Sequence, residues 1–122
     1  MSDDPRHQLG RLGERLAAEH LERLGYRILA RNHRTRYGEL DLVAADADTI
    51  VFCEVKTRRL GSGNPWDALG GRKQSQVRAM GSAWLQEVRD RPRTSALRFD
   101  AVGVVLDARG RLVRLDHLEA AF

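Results

Sequence analysis

The chain has 122 residues, 42% of them hydrophobic, enough for one compact core without a structural metal, and its lone Cys53 excludes an internal disulfide. No apolar run approaches the roughly 18 to 20 residues that cross a bilayer, and the opening Met1-Ser2-Asp3-Asp4-Pro5-Arg6-His7-Gln8 lacks the basic-then-apolar order of a secretory signal, so no membrane association and a cytoplasmic location are expected. A formal net charge of +4 and a pI near 10 favour a polyanionic partner, although 17 acidic residues against 21 basic ones make a mixed surface rather than a basic tail.

The spacing of Leu9, Leu12, Leu16, Ala17, Leu21 and Leu24 predicts an amphipathic helix over residues 8–24, stopped by Gly25. Gly10 and Gly13 each cost that helix roughly 1 kcal/mol relative to Ala, which points either to close backbone approach or to a loosely formed helix start. Residues 26–30 read as a short strand and 31–38 as a polar loop. Over 39–44 the alternation places Leu40, Leu42 and Ala44 on one face and Glu39, Asp41 and Val43 on the other. A turn at Asp46-Ala47-Asp48 leads into residues 49–57, where Val51, Cys53 and Val55 share one face and Ile50, Phe52, Glu54 and Lys56 the other; the two strands are expected to form a hairpin.

Gly61-Ser62-Gly63-Asn64-Pro65 reads as a flexible loop, and Gly70-Gly71 as a break before a second helix over about residues 72–90. The apolar stripe of that helix is Val77, Met80, Trp84, Leu85 and Val88, with Pro92 beyond it. Residues 97–106 and 111–115 read as two more strands joined by a turn at 107–110. The order helix, three strands, helix, two strands predicts an α/β fold, a central mixed β-sheet flanked by helices, in a single domain over 1–122.

Only Lys56 and Lys73 are lysine; every other basic residue is arginine. A lysine retained in such a composition is a candidate for a role that a planar guanidinium fills badly, that of a compact ammonium beside a reacting water. In the expected hairpin Asp41 and Glu54 lie on neighbouring strands, where two carboxylates can share one Mg²⁺ that keeps several waters. Lys56 stands two residues on from Glu54, on the same face. Such a metal lowers the pKa of water while the lysine stabilises charge growing on a phosphate. Taken singly, Glu-x-Lys on a strand and Asp41 read as solvated surface charges. Their conjunction among residues fit for burial is what singles them out, since charges flanked by core residues are costly unless paired or ligated.

These residues carry a family resemblance. Glu14, Gly38-Glu39-Leu40-Asp41 and Glu54-Val55-Lys56 together resemble the PD-(D/E)XK nuclease superfamily, with its restriction-endonuclease-like fold. More closely, the chain is similar to the YraN family of small bacterial predicted endonucleases, related to archaeal Holliday junction resolvases. That similarity runs through Gly10-x-x-Gly13-Glu14-x-x-Ala17, Gly25-Tyr26-Arg27-Ile28-Leu29, Gly38-Glu39-Leu40-Asp41-Leu42-Val43, Phe52-Cys53-Glu54-Val55-Lys56-Thr57-Arg58, Lys73 and Arg98-Phe99-Asp100-Ala101-Val102. It implies that Asp41 and Glu54 are metal carboxylates, that the Val55 carbonyl is a further ligand, that Lys56 is the catalytic lysine and that Glu14 reaches the site from the first helix. It also implies Mg²⁺ or Mn²⁺ as cofactor and DNA, structured or branched, as substrate; junction cleavage would need two sites, hence a homodimer.

Arg34, Arg36, Arg58, Arg59 and Arg72 are placed in loops flanking the site, where they would contact backbone phosphates without reading sequence. Tyr37 is the better candidate for stacking on a base, Trp84 lying on a helical apolar stripe and Trp66 in a loop. Lys73 reads either as a phosphate contact or as a solvated helix end, Glu39 as a solvated neighbour of Asp41 or an acid behind it. His7, His20, His33 and His117 have no metal-ligand spacing and read as structural or exposed. Two other functions stay open: a non-catalytic nucleic-acid-binding accessory protein of repair or recombination, and a globular domain whose acidic cluster is solvated surface.

Overall fold

A computed structural model describes residues 4–68 and 71–122, the side chains of 68 and 71–73 excepted. The first helix, α1 (Pro5–Arg23), starts where Asp4 caps it: the Asp4 carboxylate accepts the Arg6 amide at 2.9 Å, and Pro5 occupies a position whose missing N–H costs nothing. Three strands follow, β1 (Arg27–Thr35), β2 (Gly38–Ala45) and β3 (Thr49–Arg59). A short 3₁₀ turn (Pro65–Ala68) and α2 (Gly71–Glu87) lead to β4 (Ala96–Leu106) and β5 (Leu112–Leu118).

The strands form one sheet in the order β1-β2-β3-β4-β5. β3 and β4 are parallel, because α2 carries the chain back between them; the other neighbours are antiparallel. This mixed sheet with helices on both faces is the architecture that the sequence and the resemblance imply. On one face α1 packs Ala17, Ala18 and Leu21 against Leu42, Ala44, Val51, Cys53, Val55, Val102, Val104 and Leu106. On the other, Val77, Met80 and Trp84 of α2 cover Leu40, Val43, Ala45, Ile50 and Phe52. The central strands are therefore buried on both sides, which explains their near-continuous apolar runs. No helix among the described residues is long and apolar enough to cross a membrane.

Three local expectations change. Residues 31–35 belong to β1 rather than to a loop: as an edge strand it needs only one paired side, so a polar run does not end it. Arg34 thus projects from a strand, and so do Arg58 and Arg59 at the end of β3; Arg36 lies in the β1–β2 turn. The second helix stops at Glu87, short of Pro92. Alternation also breaks within β2, where Leu40 joins the α2-side core but Leu42 the α1-side core, and the residue between them is Asp41.

Candidate active site

The β2–β3 ladder pairs Ala45 with Ile50, Ala44 with Val51, Val43 with Phe52 and Leu42 with Cys53, and there it stops. Beyond it the strands part. The Val55 amide, deprived of a backbone partner on β2, donates instead to Asp41 Oδ2 at 2.8 Å. A side chain thus closes the opening of the ladder and holds one carboxylate at the point where the two strands separate.

Glu54, opposite on β3, is buried, with 3% of its surface exposed, and its Oε1 lies 3.4 Å from Lys56 Nζ. Lys56 keeps only 23% of its side chain accessible. Burial and the neighbouring Glu54 charge push the Asp41 carboxyl up to about 8, with Glu14 adding to the rise and the Val55 amide and Lys56 opposing it. Glu14, half-buried on α1, is also raised, first by burial and then by Glu39 and Glu54, against an Asn32 Nδ2 hydrogen bond of 2.9 Å to its Oε1. Glu14, Asp41, Glu54 and Lys56 therefore interact as one electrostatic cluster.

Gly13 brings Glu14 there. A Cβ at Gly13 would overlap Thr57 Oγ1, so α1 sits on β3 more closely than any other residue allows. Close approach is thus the explanation for Gly13. Asn32 is a functional neighbour that sequence reasoning missed: it stands on β1 with a left-handed φ of 49°, which Asn tolerates better than most residues, and aims its amide at Glu14. Within the polar run 31–38 nothing distinguished it from other surface residues.

The donor set fits a hydrated hard cation and not a closed cage. Asp41 and Glu54 supply carboxylate oxygens on neighbouring strands, and burial first, with the Glu54 charge second, raises Asp41, a cost that a bound cation would relieve. Among the described residues no three His, Cys, Asp or Glu side chains converge as a metal cage. Mg²⁺ or Mn²⁺ with several waters matches such a site; a tetrahedral Zn²⁺ does not.

The description "Uncharacterised protein family UPF0102" matches residues 13–104, from Gly13 through all the strands of the site. The chain belongs to this family. A UPF0102 protein of Pelotomaculum thermopropionicum is 46% identical over 121 residues, 98% of each chain. One from Nocardia farcinica is 49% identical over 115 residues, 93% of this chain and 88% of the relative, and one from a Parafrankia species 47% over 118, covering 94% and 96%. The YraN-like membership read from the motifs is thus established at the level of the UPF0102 family, with α1 from Gly13 and strands β1 to β3 inside the matched span.

The remaining sequence candidates divide. Arg58 and Arg59 line a cleft of ≈ 420 Å³ together with Lys56 and Glu14. Arg34 lines a second, ≈ 450 Å³, which also contains Glu14. Glu39 sits opposite Arg34 in the β1–β2 register, 3.9 Å away and exposed, a surface pair. Tyr37 is 41% exposed in the β1–β2 turn, with the Arg36 guanidinium 4.8 Å from its ring centroid, so Arg36 covers part of the face that a base would use. The side chains of Arg72 and Lys73 lie outside the described residues.

Cys53 is fully buried on the α1 side; burial, with Asp100 and Asp41 nearby, pushes its thiol well up, and it packs as a small hydrophobe. Trp84 is core, edge-on to Phe52. His20 and His117 prove structural. His117 Nε2 lies 2.7 Å from Asp100 Oδ2 and its Nδ1 3.1 Å from His20 Nε2. Asp100, completely buried, also receives Arg98 at 2.8 and 2.9 Å and the Ala120 amide at 3.0 Å. Burial raises its carboxyl, but the His117, Arg98 and Ala120 hydrogen bonds together hold it below the ordinary range.

Proposed function

We propose that this chain is a Mg²⁺- or Mn²⁺-dependent endonuclease that hydrolyses DNA phosphodiester bonds, with Asp41, Glu54 and the Val55 carbonyl facing the metal. The observation that supports it best is the 2.8 Å bond from the Val55 amide to Asp41, which holds a carboxylate beside the Glu54–Lys56 pair where β2 and β3 part. A divalent ion there would lower the pKa of a water and draw charge from the phosphate.

The protein's own groups do the rest. Glu54 fixes the Lys56 ammonium, and that cation, largely withdrawn from solvent, stabilises the negative charge that grows on the phosphate during in-line attack. An ion pair this far buried acts at a lower effective dielectric than one in water. Glu14, steadied by Asn32, supplies a further acid at the edge of the cluster. Arg34, Arg58 and Arg59 supply phosphate contacts, and the net positive charge supports a nucleic-acid ligand. A domain this small offers little surface for reading bases, so recognition is of DNA shape and backbone, which favours branched or otherwise structured DNA and a homodimer to make paired cuts.

The deciding experiment incubates wild type and Lys56→Ala with single-stranded, nicked, flapped and four-way DNA in Mg²⁺ or Mn²⁺. Cleavage by wild type that vanishes in Lys56→Ala while binding persists is the expected result. No cleavage of any substrate with either metal overturns the assignment as an enzyme and leaves the binding accessory protein.

A further inference from the structure

Close packing accounts for Gly13 but not for Gly10. A Cβ at Gly10 would meet no atom within 4 Å, although a helix-interior glycine gives up roughly 1 kcal/mol relative to Ala. Arg6, Gly10 and Glu14 are spaced by four and so form one row along α1. Two clefts flank that row and share all three residues. Arg11 and Arg34 line the cleft on the β1–β2 side, ≈ 450 Å³, and Lys56, Arg58 and Arg59 the one on the β3 side, ≈ 420 Å³. A side chain at position 10 would stand between them. Without one, no side chain at position 10 separates the two clefts, each of which carries arginines of its own and includes Glu14.

We propose that a DNA strand crosses α1 at Gly10, its phosphates held by Arg11 and Arg34 on one side and by Arg58 and Arg59 on the other. This path rests on the nuclease reading above and gives it a direction: the strand that passes over Gly10 enters the cleft that Lys56 lines. A polynucleotide matches the two clefts because its charge repeats along a narrow backbone, as the arginines recur from one cleft to the other, and because a backbone can approach a helix closely only where no side chain intervenes. Glu14, the acid in the row, faces the crossing from one helical turn away and disfavours a phosphate resting on itself, leaving the phosphates to the arginines on either side.

The test uses the full chain with Gly10→Leu, Gly10→Ala and Arg11→Ala. Thermal melting and fluorescence anisotropy with a labelled single strand and a labelled four-way junction are measured without divalent ions, over a range of salt. Both glycine variants should melt at or above the wild-type temperature, since a better helix former enters open space. Gly10→Leu should weaken DNA binding by roughly tenfold or more and Gly10→Ala by less, while Arg11→Ala weakens binding and lowers the salt slope by about one phosphate contact. Wild-type affinity in Gly10→Leu overturns the crossing and leaves the nuclease reading intact. A lowered melting temperature in Gly10→Ala contradicts the open space at Gly10 and also overturns the crossing. A wild-type chain that binds neither DNA even after Ca²⁺ is added overturns the nuclease reading itself.

Discussion

Asp41 Oδ2 accepts the Val55 amide across 2.8 Å, so the carboxylate of one strand replaces a backbone carbonyl in the ladder of the next. The bond has an electrostatic consequence. It favours the ionised form of Asp41, yet burial and Glu54 outweigh it and raise the group to about 8. Near neutral pH Asp41 therefore holds its proton more tightly than an exposed carboxyl does, which sets it apart from a surface ion pair.

Without metal, Asp41→Asn should stabilise the protein, because Asn keeps an oxygen acceptor for the Val55 amide and removes the charge. The folded-state value is raised from 3.8 to about 8, so the folded protein holds its proton more tightly and stability from this group falls as pH rises between those values. The variant should match wild type near pH 4 and exceed it by about 1–3 kcal/mol at pH 8. Urea unfolding at both pH values in chelator measures it; a gap that does not widen with pH refutes the charge explanation.

Lys56→Ala should reduce cleavage by about 10²–10⁴-fold while leaving DNA affinity within a few-fold of wild type. Lys56→Arg should not restore the rate, because a planar guanidinium cannot replace a compact ammonium held 3.4 Å from the buried Glu54. Single-turnover cleavage beside binding anisotropy separates the two effects, and full activity in the arginine variant would remove the special role of lysine.

Gly13→Ala should destabilise by about 1–3 kcal/mol although Ala is the better helix former, since the new methyl overlaps Thr57 Oγ1 and α1 must shift away from β3. Thr57→Ala in the same chain should recover part of the loss. A double-mutant cycle by urea unfolding reads the coupling, and purely additive effects would show that the two residues do not meet.

Asp100→Ala should cost about 3–5 kcal/mol, because Arg98, His117 and the Ala120 amide all lose one buried acceptor. Its folded value is depressed, so its contribution is present above the ordinary carboxylate range and is lost as pH falls through the folded value. Acid titration followed by circular dichroism should therefore show the wild type approaching the variant in stability only at strongly acidic pH.

Much of this was legible without coordinates. The order of elements follows from periodicity: the 3.6-residue stripes of the two helices and the apolar runs of β3 and β4 each reflect local burial that a segment carries in its own residues. β1 was cut short because an edge strand, paired on one side, tolerates Arg31, Asn32 and Arg34 without losing its ladder. Glu14, Asp41, Glu54 and Lys56 stood out by type and by family resemblance. Asn32 and the shared row of Arg6 and Gly10 did not, since their meaning lies in what stands across the cleft.

UPF0102 membership and the α/β order follow from side-chain type and spacing along the chain, which also single out Asp41, Glu54 and Lys56 as candidates. Tertiary structure alone decided that the β2–β3 ladder ends at Leu42 and Cys53, that Asp41 then takes the Val55 amide, and that Gly13 lets α1 bring Glu14 beside them. The reason is register: hydrogen bonds between strands and the approach of a helix to a sheet depend on how distant segments align, and no single segment carries that alignment.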